Sequence, residues 1–181
     1  LSLSDARIRW NVLGPVSISF GALKQSALES PVLLGGGTFP SALLSVRFDV
    51  SPVYAETIGE ASIPTGTGFT IKNTGKENTP GLLGITQVLG WKDGMDHFAE
   101  LKAGVFEFSN LTHGMAQDSR FYGNTIYGIS SGSTFLYRYR GYFLGASGSL
   151  PIAKNISFVA GGSMVRNPEA PSASNRGQYA Y

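Results

Sequence analysis

Apolar residues recur at every second position through most of this chain, in short segments separated by stretches rich in Gly, Ser, Thr and Asn. A period of two predicts strands with one apolar and one polar face. Residues 7–12 place Ile8, Trp10 and Val12 on one side and Arg7, Arg9 and Asn11 on the other, and residues 16–24 set Val16, Ile18, Phe20 and Ala22 against Ser17, Ser19 and Gly21. The clearest alternation is Leu44, Val46, Phe48 and Val50 against Ser45, Arg47 and Asp49. The next strand sets Val53, Ala55 and Thr57 against Tyr54, Glu56 and Glu60. Residues 82–91 form a fifth strand whose apolar groups fall on both faces. Residues 98–108 set Ala99, Leu101, Ala103 and Val105 against Glu100, Lys102 and Gly104. A long seventh strand over 134–150 has Phe135, Tyr137, Tyr139 and Phe143 on one face with Arg138 and Arg140 between them, and an eighth begins at Ile156. Residues 177–181 open a ninth.

The joints alternate in length. Leu13-Gly14-Pro15, Ser51-Pro52, residues 92–96 and residues 151–155 are short, whereas the intervening joints are polar and run from about ten to over twenty residues. An up-and-down barrel of an outer membrane has this asymmetry, with tight turns at one rim and long loops at the other. The expected fold is therefore all-β, an antiparallel up-and-down transmembrane β-barrel. Residues 1–181 form one barrel domain of about eight strands plus the start of a ninth. An antiparallel soluble sandwich shares the alternation. The barrel is favoured because charges alternate with apolar residues inside strands, as in a wet lumen, and because aromatics gather near strand ends (Trp10, Trp91, Phe106, Phe108, Phe135, Tyr137), as an interfacial girdle requires.

Composition sharpens this reading. Charged residues are 14% of the chain, against about 25% in soluble proteins, yet mean hydropathy is only +0.03. No apolar run approaches the roughly 20 residues of a spanning helix, so a membrane crossing would use strands. The absence of cysteine removes disulfide and thiolate chemistry. A net charge of +2 without a basic cluster argues against a nucleic-acid partner. The start, Leu1 to Arg7, has neither a basic nor an apolar region of a signal peptide, so the chain is expected to be processed or part of something longer.

Three stretches resemble the β-barrel porin family of Gram-negative outer membranes. They are Leu101-Lys102-Ala103-Gly104-Val105-Phe106-Glu107-Phe108-Ser109-Asn110, then Ile152-Ala153-Lys154-Asn155-Ile156-Ser157-Phe158 leading to Met164-Val165-Arg166-Asn167-Pro168-Glu169-Ala170, and, in layout, residues 16–52. The resemblance implies a passive channel in the outer membrane for ions and small hydrophilic solutes, surrounded by lipid and able to form a homotrimer. It also implies more strands than eight, so the chain is expected to be part of a larger barrel. A complete small eight-stranded barrel without channel activity and a soluble β-sandwich for binding or adhesion remain the alternatives.

Candidate chemistry is sparse. Asp93, Asp96 and His97 share a short turn, where Asp-Gly is ordinary turn chemistry. His113 lies near Asp118 and Ser119, the types a membrane-embedded hydrolase would use, but no second partner recurs at a useful spacing. Gly35-Gly36-Gly37 lacks the lysine and helix of a phosphate loop, and no loop carries carboxylates at the alternating positions of a calcium site. No enzyme activity, cofactor or metal is expected. The residues expected to line a pore are Arg7, Arg9, Arg47, Asp49, Glu56, Glu60, Glu100, Lys102, Arg138 and Arg140, since an Arg or Lys in lipid costs roughly 2–4 kcal/mol at the midplane. Their mixed signs leave anion or cation preference open.

Overall fold

The computed structural model describes residues 6–24, 38–64, 78–93, 97–120, 126–129, 132–153 and 156–170. Eight strands, each hydrogen-bonded to the next, form one antiparallel sheet. They are β1 (Ala6–Leu13), β2 (Val16–Leu23), β3 (Phe39–Val50), β4 (Val53–Ser62), β5 (Gly81–Asp93), β6 (His97–Ser109), β9 (Arg140–Ala153) and β10 (Ile156–Arg166). Between β6 and β9 the chain forms a short helix α1 (His113–Ser119) and a two-residue ladder, β7 (Ile126–Tyr127) with β8 (Thr134–Phe135). The fold is thus all-β, antiparallel and up-and-down. The short joints, including those at Gly14-Pro15 and Ser51-Pro52, lie at one end of the sheet and the long ones at the other.

The ladder is staggered in one direction. Val16, the first residue of β2, pairs with Val46, yet β3 continues to Val50 before turning. Val53 pairs with Trp91 and β5 continues to Asp93, while Phe98 pairs with Ser149 and β9 continues to Ala153. A stagger that accumulates with one sign is what strands tilted to a barrel axis require. Among the described residues no pairing joins β1 to β10.

The alternation sorts side chains cleanly. One face carries Trp10, Phe20, Leu44, Phe48, Leu83, Ile85, Leu89, Leu101, Val105, Leu144 and Leu150, all exposed. The register puts them in shared rows, for instance Phe48, Ala55, Leu89, Leu101 and Ala146. The opposite face, called inner below, carries Ser, Thr, Gly and charged residues, most of them buried or half-buried. Toward the long-loop end this inner face holds the core: Phe39, Leu82, Phe106, Phe108, Phe143 and Val165, covered by Met115 of α1 and by Tyr139.

Here two expectations are corrected. Phe106 and Phe108 do not belong to an outer girdle; both are 6% exposed and sit in the inner core. The predicted seventh strand over 134–150 is divided, since 134–135 pair with 126–127 and the sheet strand begins only at Arg140. The apolar groups on both faces of the fifth strand now have a reason: Leu82 and Val88 are buried inside, while Leu83 and Leu89 are exposed outside. The expected ninth strand at 177–181 lies outside the described residues.

Candidate functional site

The inner face is the candidate site, and its turn-side half is charged. β3 and β4 are adjacent, so Arg47 stands directly opposite Glu56, and Asp49 opposite Tyr54. The Arg47 guanidinium forks onto Asp49, with Nε–Oδ1 at 3.0 Å and Nη2–Oδ1 at 2.9 Å, and reaches Glu56 Oε2 at 3.6 Å. Its Cζ lies 4.0 Å from the centroid of the Tyr54 ring, within cation–π range. The Tyr54 hydroxyl donates to Glu100 Oε2 at 2.5 Å across β5, and Lys102 Nζ lies 3.0 Å from Glu100 Oε1. The Ser45 hydroxyl donates to Glu56 Oε1. Three strands, β3, β4 and β6, thereby contribute to one belt of cations and carboxylates that crosses β5.

Tyr54 spans the wall because Gly90 lies beneath it. A Cβ built on Gly90 would fall 2.0 Å from Tyr54 Cζ, so only glycine at this cross-strand position lets the ring lie flat over β5 and reach Glu100. Gly104 is the matching seat on the loop side: a Cβ there would meet Phe143 Cε1 at 2.3 Å. Strand glycines with an aromatic laid across them keep the pleat covered while leaving the wall thin.

Toward the loops the inner face closes over. Glu60 is 4% exposed, and the Ser62 hydroxyl lies 2.6 Å from its Oε1. The segment after β6 turns at Asn110, whose side-chain amide donates to the Thr79 carbonyl at 3.2 Å and whose φ is 52°. Thr112 caps α1, its hydroxyl accepting from the Met115 amide at 3.3 Å. Met115 is wholly buried against the inner core. His113 Nδ1 donates to the Ser133 carbonyl at 2.6 Å, and the Ser133 hydroxyl donates to Gln117 Oε1 at 2.8 Å, so α1 and the start of the return segment are clipped together. Asn167 at the end of β10 donates to the Arg138 carbonyl at 2.9 Å, and Phe108 N donates to the Tyr139 carbonyl at 2.8 Å.

Eight of the ten predicted pore-lining residues fall on the inner face by register: Arg7, Arg9, Arg47, Asp49, Glu56, Glu60, Glu100 and Lys102. Six of the ten lie on β3, β4 and β6; five of these, Arg47, Asp49, Glu56, Glu100 and Lys102, are drawn together in the belt, and Glu60 lies apart in the covered half. Arg7 and Arg9 stand on the exposed edge strand. Arg140 is a correction. It pairs in register with Glu107 on the outer face, and its Nε lies 2.7 Å from Glu169 Oε1 beyond the rim of the sheet. The alternation of Phe135, Tyr137, Tyr139 and Phe143 predicts an apolar outer face for these aromatics, but Tyr139 and Phe143 are buried inside, which inverts the phase and turns Arg140 outward. Arg138 precedes the strand and borders a loop-side cavity.

Of the residue types considered for a hydrolase, His113 bonds the Ser133 carbonyl through Nδ1. The Ser119 hydroxyl is fully buried and donates to the Ala116 carbonyl at 2.8 Å. Asp96 and Gly35-Gly36-Gly37 lie outside the described residues. Tyr54 and Ser45, both part of the belt, were not singled out by the sequence; each sits on the polar side of its strand, at i±2 from a charged residue, and that spacing is the available signal. No protein-family model, no curated protein and no solved structure matches the chain.

Proposed function

We propose that the chain forms wall of an outer-membrane β-barrel channel, a porin segment through which ions and small hydrophilic solutes diffuse. One observation carries the proposal: apart from the Thr57–Gln87 pair and the charges at the loop-side rim, the outer face of the sheet strands is apolar and largely exposed, with Leu101 and Phe48 each 61% exposed, while the inner face is polar and charged toward the short turns and closes over a covered aromatic core toward the long loops. Soluble proteins seldom expose apolar patches beyond a few hundred Å². In a bilayer the same arrangement is required, because lipid-facing and lumen-facing residues alternate along every strand. A soluble sandwich needs a second sheet over that apolar face, and among the described residues the two-stranded ladder is the only other sheet.

Three further features agree. The accumulating stagger suits tilted strands, short turns and long loops occupy opposite ends, and the outward charges Glu107, Arg140 and Glu169 gather at the loop-side rim, where headgroups and water replace hydrocarbon. In lipid every edge must be paired. Among the described residues the edges of β1 and β10 have no partner strand, which supports a wall continued by further strands over a filled eight-stranded barrel. Alternating charges on the lumen wall hydrate a channel and bias its ion preference.

The test is reconstitution of the full-length protein in planar bilayers. Discrete ohmic steps from a heat-modifiable, correctly folded preparation are expected. A folded preparation that never conducts contradicts the channel, and a protein that stays soluble and monodisperse without detergent contradicts the membrane wall.

A further inference from the structure

The loop-side half of the inner face contains an open cavity of about 440 Å³ between the end of β6, the start of α1 and residues 133–139. Its walls combine apolar rings with a few polar groups. Tyr137 stacks on Tyr139 with centroids 5.4 Å apart and planes 24° from parallel, and Phe135 meets Tyr139 edge-on at 4.9 Å. Tyr139 is thus enclosed at 4% exposure, whereas Phe135 and Tyr137 remain half-buried. Among the described residues that line it, Arg138 carries the one permanent charge and no carboxylate is present, in contrast to the belt below, where each cation faces acids.

A volume of a few hundred Å³, an aromatic wall and a small number of fixed polar groups are the ordinary attributes of a small-molecule site. The walls are held in place independently of any ligand. Phe108 N and Asn167 bind the carbonyls of Tyr139 and Arg138, and His113 is fixed by its bond to the Ser133 carbonyl. A guanidinium recognises a carboxylate in two-pronged fashion, and half-exposed Phe and Tyr rings offer faces or edges to another ring. We propose that this cavity is a binding subsite for a small aromatic carboxylate, with Arg138 taking the carboxylate and Phe135 and Tyr137 the ring. A solute arriving from the long-loop end meets this site before the charged belt. That position in transit rests on the channel reading, but the binding itself does not.

The test uses the folded full-length protein in detergent micelles, with binding of phenylacetate, its neutral analogue phenylacetamide and ring-free acetate measured by calorimetry. Phenylacetate is expected to bind at least tenfold more tightly than either of the others. Arg138→Gln, which alters an exposed side chain, is expected to bring phenylacetate down to the phenylacetamide value and leave phenylacetamide unchanged. Equal binding of phenylacetate and phenylacetamide overturns the proposal, as does phenylacetate affinity unaffected by Arg138→Gln, or acetate binding as tightly as phenylacetate. Binding with this profile in a protein that does not conduct removes the channel and keeps the site; conductance without such binding removes the site and keeps the channel.

Discussion

Leu101 and Lys102 are neighbours in β6, and their surroundings differ completely. Leu101 stands in an exposed apolar row with Leu89 and Ala146, and Lys102 faces Glu100 on the opposite side within a belt of ion pairs. Because one residue along a strand reverses the face, the sheet holds two chemistries back to back without a second layer. The inner face is itself divided, charged near the short turns and aromatic near the long loops. What differs between the faces is the source of cohesion. Inner side chains are held by one another and by α1, whereas the large apolar side chains of the outer face are mostly exposed and depend on what surrounds the sheet.

The largest effect should come from the inner core. Phe106 meets Phe108 edge-on with centroids 6.0 Å apart and is nearly buried. Phe106→Ala should lower stability by about 3–5 kcal/mol, the usual loss for a buried aromatic, measured as a shift of the urea midpoint for protein folded in vesicles. A shift no greater than that of an exposed alanine variant would mean that α1 does not pack as described.

Next comes the outer face. Leu101→Arg should reduce folding into bilayers by about 2–4 kcal/mol if residue 101 lies near the midplane, although the residue touches little of the chain. Folding yield across vesicles of fixed composition measures it. An unimpaired variant would make the outer face a water-exposed surface and dissolve the comparison.

A smaller change is expected at the glycine seat. Gly90→Val should displace the Tyr54 ring, break its bond to Glu100 and cost about 1–3 kcal/mol through overpacking. Far-ultraviolet circular dichroism should keep its β signature while Tyr54 fluorescence quenching by Glu100 changes. If Tyr54 is undisturbed, the ring does not lie across β5.

The smallest effect on folding belongs to the belt. Arg47→Ser should leave folding yield unchanged but release Asp49 and Glu56, shifting reversal potential in a salt gradient toward cation preference. An unchanged potential would place the belt away from the conducting path.

Much of the architecture was legible in the sequence because a period of two survives wherever one face is apolar and the other polar. The strands from Ala6 to Ser109 appear at nearly the predicted positions, and the joints divide into short and long as expected. The failures share one cause. In β6 the alternation carried past Gly104 puts Phe106 and Phe108 on the side of Glu100 and Lys102, but aromatic character suggested a lipid girdle. In residues 135–143 the same assumption inverted the phase and sent Arg140 to the wrong face. Aromatics on the inner side pack under α1, a tertiary contact that no strand periodicity encodes. The helix itself is seven residues long, too short for a visible 3.6-residue pattern. The belt was half legible: its charges were in phase, but the Tyr54–Gly90 contact depends on register between strands distant in sequence.

The central claim is that the apolar face meets lipid and the polar face meets water. Nitroxide labels at positions 101 and 147, on adjacent strands but opposite faces, test it directly in protein folded into vesicles. The account predicts that relaxation of the label at 101 responds to oxygen, which concentrates in the bilayer, and that the label at 147 responds to a water-soluble nickel chelate. A label at 101 reached by the chelate, or by neither reagent, would contradict it.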